Sequence, residues 1–472
     1  MDVSWGDSSS ESGIDGSTSS IGSWEQMNTL EQTKSENSSV VGRHPKPGAQ
    51  LEYSAIYRRI CIGVLVVYLS IELGLLSGGI APLGELGRLA ESSNKLLQIV
   101  AGAFVALLLA APRGAIGRGR VPLLALGYLC YLVLSIVWSV DSPFSVYIAR
   151  TSLIPALAAV LLMSVVPIEF TVRALNIVSR VAIVLVAVVV AIDPASRVSQ
   201  DEGSDVIAVG WSGSFLHKNQ MGMVMVLLVL FAYFFEPTRG GKWFVVISGS
   251  FLAIASSSVG AVAGLCLAGA AAVSISRLAR IPSDRTAGVL ALVGLFGMLV
   301  IGTLIGVSLE YILPAVGKDL TFTGRTYIWR TCVEFLKERP LLGFGQIFHH
   351  GDAASSPESA RLFRSVGFVI GSAHNGFFNI AVQYGLIGVA IFSTMFLAVW
   401  RQALIRVRTA SQYPVALWCA VVVPVLLSMS LSEPIFDKAG IIFVLLAAVF
   451  IQRPLEVTNP RLRRRLPSSS SG

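Results

Sequence analysis

The chain has 472 residues, of which 54% are hydrophobic and only 14% charged, and its mean hydropathy is +0.70. Soluble globular chains are about a quarter charged, so this composition argues against a soluble enzyme and for an integral polytopic membrane protein, at roughly 20 apolar residues per crossing. The excess of 36 basic over 28 acidic residues, +8, fits Lys and Arg gathered in cytoplasmic loops, and no nucleic-acid partner is expected.

In chain order, residues 1–50 come first, with 12 serines, seven acidic residues and almost no apolar periodicity. They are expected to form a disordered cytoplasmic tail, and they lack the basic start and apolar stretch of a signal peptide. Twelve helix-length apolar runs follow, at about 60–76, 96–111, 121–140, 151–167, 174–193, 219–235, 243–257, 259–275, 286–309, 375–400, 413–431 and 436–451. The pattern predicts an all-α transmembrane bundle: nine spans within 56–309, a large loop over 310–374, three spans within 375–452 and a basic tail over 453–472. With the N-terminus in the cytoplasm, 22 of the 36 basic residues fall inside, Arg180 lies within a helix, and 13 fall outside, seven of them in the large loop. Without that loop the ratio is 22 to 6, which puts both termini in the cytoplasm and 310–374 on the outer, periplasmic face. The stretch from Arg461 to Arg465 then reads as an anchor to anionic head groups.

Inside the large loop, Thr323 is expected to cap a helix that runs to about Glu338 and stops at Pro340. Its apolar stripe of Ile328, Cys332, Phe335 and Leu336 predicts an amphipathic helix that lies along the membrane surface or forms a structural lid over the bundle. Cys61, Cys130, Cys266 and Cys419 fall in apolar runs and Cys332 stands alone, so neither a disulfide framework nor a cysteine metal site is expected.

Four of the five histidines, His217, His349, His350 and His374, fall on the outer side. His374, followed by Asn375, directly precedes a span, where an imidazole can act as a general base near neutral pH or can merely cap the helix. Arg325 begins the amphipathic helix, and Arg150 ends a short outer loop from Asp141. Their guanidinium forks suit phosphate; the plainer alternatives are a solvated helix face and an interfacial arginine. His217, Lys218 and Asn219 form a polar cluster at the outer start of another helix, with Lys218 as a phosphate counter-charge. Neither a phosphate-binding Gly-rich loop nor a zinc helix is present, and His349, His350 and Asp352 make a poor metal site. Glu72 lies near an outer helix end and Arg180 about two turns in from the cytoplasm, so no midplane relay of the kind that pumps carry is expected.

His374-Asn375, then nine residues, then Gly385-Leu386-Ile387-Gly388, resembles the His-Asn/Ser motif of the O-antigen ligase and polymerase superfamily of bacterial membrane glycosyltransferases. Thr323-Gly324-Arg325-Thr326-Tyr327-Ile328-Trp329 and Glu338-Arg339-Pro340-Leu341-Leu342-Gly343-Phe344-Gly345 resemble the outer-loop signature of the same family. Phe215 to Asn219 is more similar to the exopolysaccharide-production polymerases than to the ligases. The resemblance is dense over about 320–390. It implies transfer of a glycan from an undecaprenyl-pyrophosphate carrier to a sugar hydroxyl at the outer face of the inner membrane, with no metal or other cofactor. It also implies two catalytic residues, Arg325 on the pyrophosphate and His374 as base. Arg150, His217, Lys218, Asn219, Arg330 and Asn375 are the substrate-binding candidates.

The function expected is a polymerase joining lipid-linked repeat units into exopolysaccharide or O-antigen. The alternatives are a ligase that moves finished glycan to lipid A-core and, in another class, a polysaccharide flippase or transporter. Expected partners are the lipid-linked donor, the glycan acceptor, the bilayer, a flippase and a chain-length regulator. One departure stands out: many family members carry Ser-Arg at the outer end of a mid-chain helix pair, where this chain reads Ser256-Ser257-Ser258-Val259-Gly260. Arg150 or Lys218 is then left to supply a second phosphate contact.

Overall fold

The structure is a computed structural model that describes residues 47–75, 89–109, 122–200, 207–215, 217–278, 321–348, 356–367, 370–407, 413–434 and 439–451, with Gly294 and Gly297. The N-terminal tail up to residue 46, the rest of the run at 286–309, the tail from 452 onward, and His349, His350 and Asp352 lie outside the described residues. Residues 1–55 form a unit apart from 56–472, and only its helical end, from Pro47, is described.

Eleven of the twelve apolar runs are helical among the described residues. They are α1 (Pro47–Glu72), α2 (Leu89–Leu109), α3 (Leu123–Leu134), α4 (Ser142–Val165), α5 (Ile168–Ile192), α6 (Lys218–Phe235), α7 (Arg239–Ala255), α8 (Val259–Leu278), α11 (Gly376–Arg406), α12 (Tyr413–Ser430) and α13 (Ala439–Ile451). Between α8 and α11 come helices α9 (Thr321–Glu338) and α10 (Pro357–Val366), within the stretch expected to form the large loop. Among the described residues, five helices, α4, α5, α6, α8 and α11, are long and apolar enough to cross a bilayer.

The burial pattern follows from composition. Helix α6 is apolar on every side and is buried without a break from Met221 to Ala232, as an all-round apolar helix in a bundle centre must be. Beside it, Trp418 of α12 sits among Phe231, Phe235, Phe443 and Phe450, with ring centroids 5.5 to 6.5 Å away. Helices α5 and α7 instead turn Ile177, Val181, Val184 and Val188, and Ile247, Phe251 and Ile254, outward. Water would penalise such contiguous apolar faces and lipid does not. The chain is a multi-pass membrane protein.

Two expectations need correcting, and the bundle gains one small addition. The proposed short outer loop from Asp141 to Arg150 is helical, because Asp141 caps α4 by accepting from Phe144 N at 3.0 Å and Pro143 occupies the first turn. A π-turn, Ala149–Leu153, then carries the helix on to Val165. The all-α class holds, with one short hairpin added between α5 and α6, where β1 (Val198–Gln200) and β2 (Ile207–Val209) pair antiparallel, Ser199 opposite Ala208. Finally, the apolar stripe of α9 does not lie bare on a membrane surface. Ile328, Cys332 and Phe335 are buried against Phe344, Ile347, Leu362 and Phe363, so α10 and the loop after α9 cover them with protein. Helix α10 went unforeseen although its signals are local: Ser356 caps it, Pro357 begins it and left-handed Gly367 ends it.

The segment after α9 fixes that helix in the bundle. Helix α11 is broken at Gly385 (φ 67°, ψ −175°), and Pro340–Gly345 fills the break. Leu386 N donates to Pro340 O at 2.8 Å, Phe344 N to Val382 O at 2.9 Å and Gly345 N to Gln383 O at 2.8 Å. The backbone groups freed by the break are thus paired by protein, as any interruption within a bilayer requires. A Cβ on Gly385 would lie 2.1 Å from Leu341 O, and one on Gly343 would lie 2.6 Å from Val382 O. These two motif glycines are therefore set by backbone approach as well as by positive φ. On its other side the wedge is held by Val140 N to Phe344 O at 2.9 Å and by Trp138 Nε1 to Leu342 O at 2.8 Å.

Candidate functional site

Four separate segments meet at one end of the bundle. At the start of α6, His217 Nδ1 caps the helix by accepting from Asn219 N at 3.2 Å, while Asn219 Nδ2 donates to Glu433 Oε1 at 2.6 Å. From α9, Arg325 Nη2 reaches Glu433 Oε1 at 3.0 Å and Nη1 donates to Ser432 O at 2.7 Å. From the loop before α11, His374 Nδ1 lies 3.9 Å from Glu433 Oε2, an ion-pair separation. Asn375 caps α11 through Phe377 N (2.9 Å) and Phe378 N (3.1 Å), and its Nδ2 donates to Leu431 O at 3.0 Å. Asn375 is thus a cap that also ties α11 to the turn after α12.

Glu433, in that turn, is the hub. Burial alone would raise its pKa, since a carboxylate loses hydration there, but Arg325 first, and then His374 and His217, hold the carboxyl down to about 2. The N-terminal dipoles of α6 and α11 add positive potential at the same point. The side chains of Arg325 and His374 keep 14% and 16% exposure, which leaves both groups accessible from outside the bundle.

His374 adopts a left-handed backbone, φ 47°. For a residue with a Cβ this costs about 1–2 kcal/mol, and strain of this kind points toward function. Local bonds enforce it: His374 N donates to Ser372 Oγ at 3.3 Å, Ala373 N to Asn379 Oδ1 at 2.8 Å, and Trp329 Nε1 to Ala373 O at 3.0 Å.

Not every candidate joins this cluster. Arg150 is exposed on the π-turn of α4 and is not brought into it. Arg330 is exposed on α9 and faces Glu334 one turn on, at 3.9 Å, a solvated pair worth little. Lys218 lies closer: a Cβ on Gly210 would meet Lys218 Cδ at 2.9 Å and Ser256 O at 2.6 Å, so its stem runs beside the serine turn. That turn has Ser257 at φ 53° and borders the hub, since a Cβ on Gly260 would lie 2.9 Å from Ser432 Oγ. Cys332 is no nucleophile, because burial pushes its thiol up to about 12. Among the described residues no three His, Cys, Asp or Glu side chains converge as a metal site.

Glu433 was missing from the candidates. It follows an apolar run, in the short link between α12 and α13 that also holds Asp437, and a carboxylate next to the end of an apolar helix was the available signal.

Residues 243–393 match the family model described as O-Antigen ligase. The chain is also 31% identical over 220 residues to "Exopolysaccharide production protein ExoQ" of Rhizobium meliloti (strain 1021), covering 43% of this chain and 48% of that protein. The match spans about half the length of that relative. Both findings agree with the resemblance carried by the motifs. The matched region runs from α7 to just past the middle of α11, so it contains Arg325, His374 and the wedge, and it ends before Glu433.

Proposed function

We propose that this chain, which carries the O-antigen ligase region at residues 243–393, is a metal-independent polymerase of the bacterial inner membrane. It transfers oligosaccharide from an undecaprenyl-pyrophosphate carrier onto a sugar hydroxyl at the periplasmic face. The observation that carries this reading is the convergence of Arg325, His374 and Asn219 on buried Glu433.

A carboxylate facing Nδ1 favours the imidazole tautomer protonated there, which leaves Nε2 to take the proton of the acceptor hydroxyl. The acceptor oxygen then bonds to the anomeric carbon as the bond from that carbon to the pyrophosphate oxygen breaks. The electron pair leaves with undecaprenyl pyrophosphate, whose charge Arg325 meets with a planar fork. Glu433 stabilises the imidazolium that forms and keeps Arg325 fixed. Lys218, beside the serine turn, is the better placed of the two candidates for a second phosphate contact.

The relative named for exopolysaccharide production favours polymerase over ligase. Deleting the gene and analysing the lipid-linked glycans that accumulate tests the choice: single repeats are expected, and finished chains would assign a ligase instead. A flippase would leave single repeats trapped on the inner leaflet. Labelling a cysteine introduced at Ser355 from outside intact cells checks sidedness, and labelling only after lysis would reverse it.

A further inference from the structure

We infer that Trp329 is a positioning residue for His374 and that it sets the register between the two groups proposed to act in transfer; the inference rests on His374 being the base. Trp329 stands on α9 one turn after Arg325, and its indole N–H donates to Ala373 O at 3.0 Å. That carbonyl belongs to the peptide unit linking Ala373 to His374, and the N–H of the same unit donates to Ser372 Oγ at 3.3 Å. Both ends of one peptide plane are therefore held. Relaxing φ of 47° at His374 requires rotating this plane, which would break both bonds. The preceding plane is fixed as well, because Ala373 N donates to the fully buried Asn379 Oδ1 at 2.8 Å.

The indole cannot shift easily either. It stacks on Phe378 of α11, with ring centroids 5.9 Å apart and planes at 25°, so Trp329 touches both the base's loop and the helix behind it. Arg325 and Trp329 face the same side of α9 at i, i+4 spacing. One helix face thus contacts Glu433 through Arg325 and the His374 backbone through Trp329. A movement of α9 would displace the anion-binding group and the base together.

The test uses full-length protein in detergent, with purified lipid-linked repeats as substrate. Trp329→Phe keeps the stack on Phe378 and removes only the donor. Its kcat should fall roughly tenfold, the scale of one lost hydrogen bond, with KM unchanged within about twofold on the same grounds. In a His374→Gln background the same change should lower the residual rate no further, because a residue acting through His374 has nothing left to position. Ser372→Ala leaves the stack intact and should give a smaller loss, also confined to kcat, which keeps the test open if Trp329→Phe folds poorly. Equal fold losses from Trp329→Phe with and without His374, or wild-type kcat in both Trp329→Phe and Ser372→Ala, would overturn the inference. Full activity in His374→Gln alone would instead overturn the base assignment on which it rests.

Discussion

Helix α6 ends at a buried glutamate and begins beside another, roughly 27 Å away at 1.5 Å per residue over its 18 residues. Beyond its C-terminus, Glu236 Oε1 takes Arg180 Nη2 at 2.5 Å, Thr238 Oγ1 at 2.8 Å and Thr238 N at 3.2 Å. At its N-terminus, Glu433 takes Asn219 and Arg325 and faces His374. The two carboxylates have similar burial and the same kind of partner, yet they are built differently. Glu236 draws on its own turn and on an arginine of α5 that is 45% exposed, so it pins the α6–α7 connection to α5. Glu433 joins segments far apart in sequence, one of them a strained histidine and another an arginine with little exposure. A buried ion pair alone does not single out a candidate site; the convergence of distant polar groups on one carboxylate, with backbone strain beside it, is what makes the Glu433 end the candidate.

The substitutions that separate the two ends follow in order of expected effect. Glu433→Gln keeps the shape but removes the charge facing Arg325 and His374. Turnover should fall roughly 10- to 100-fold, the worth of charge-assisted hydrogen bonds at about 1.5–3 kcal/mol, while the protein remains folded. Glu236→Gln should do the reverse, lowering thermal stability by about 1–3 kcal/mol with kcat intact; a large loss of kcat there would erase the distinction. Arg330→Gln, on an exposed pair, should change neither rate nor stability by more than about 0.5 kcal/mol.

Acid titration of stability sharpens the same contrast. Glu433 has its carboxyl lowered from 4.5 to about 2 in the folded chain, so its stabilisation is complete above about pH 4.5 and declines as pH falls toward 2. Unfolding followed in detergent should show that decline in wild type and a shallower one in Glu433→Gln. Identical acid limbs would mean that the ion cluster contributes nothing to stability.

Much of the helical fold was legible in sequence because membrane helices write themselves as long apolar runs: eleven of twelve runs are helical among the described residues, and five of those helices are long and apolar enough to cross a bilayer. His374 and Arg325, the residues proposed to act in transfer, were singled out through motif resemblance. Glu433 was not, since its partners Asn219 and Arg325 lie 214 and 108 positions away, and no local pattern encodes such a meeting. Trp329 reads locally as another apolar helix residue, and its bond to Ala373 O depends on how α9 docks. The α9 stripe stood between two readings in sequence because amphipathicity tells which face hides, and not whether lipid or α10 covers it. The helical start of α4 was missed because a capping aspartate, Ser142 and Pro143 look like a loop until the turn after them is seen.

The central claim is that His374, facing Glu433 beside Arg325, takes the acceptor proton during glycan transfer. It is tested most directly by measuring polymer formed from purified lipid-linked repeats by wild type and by His374→Gln, each with EDTA present. Gln retains hydrogen bonding but cannot serve as a base near neutral pH, so the rate should fall about 10²- to 10⁴-fold, with wild type unaffected by the chelator. Full polymer formation by His374→Gln would contradict the claim, and loss of wild-type activity in EDTA would contradict the metal-free mechanism.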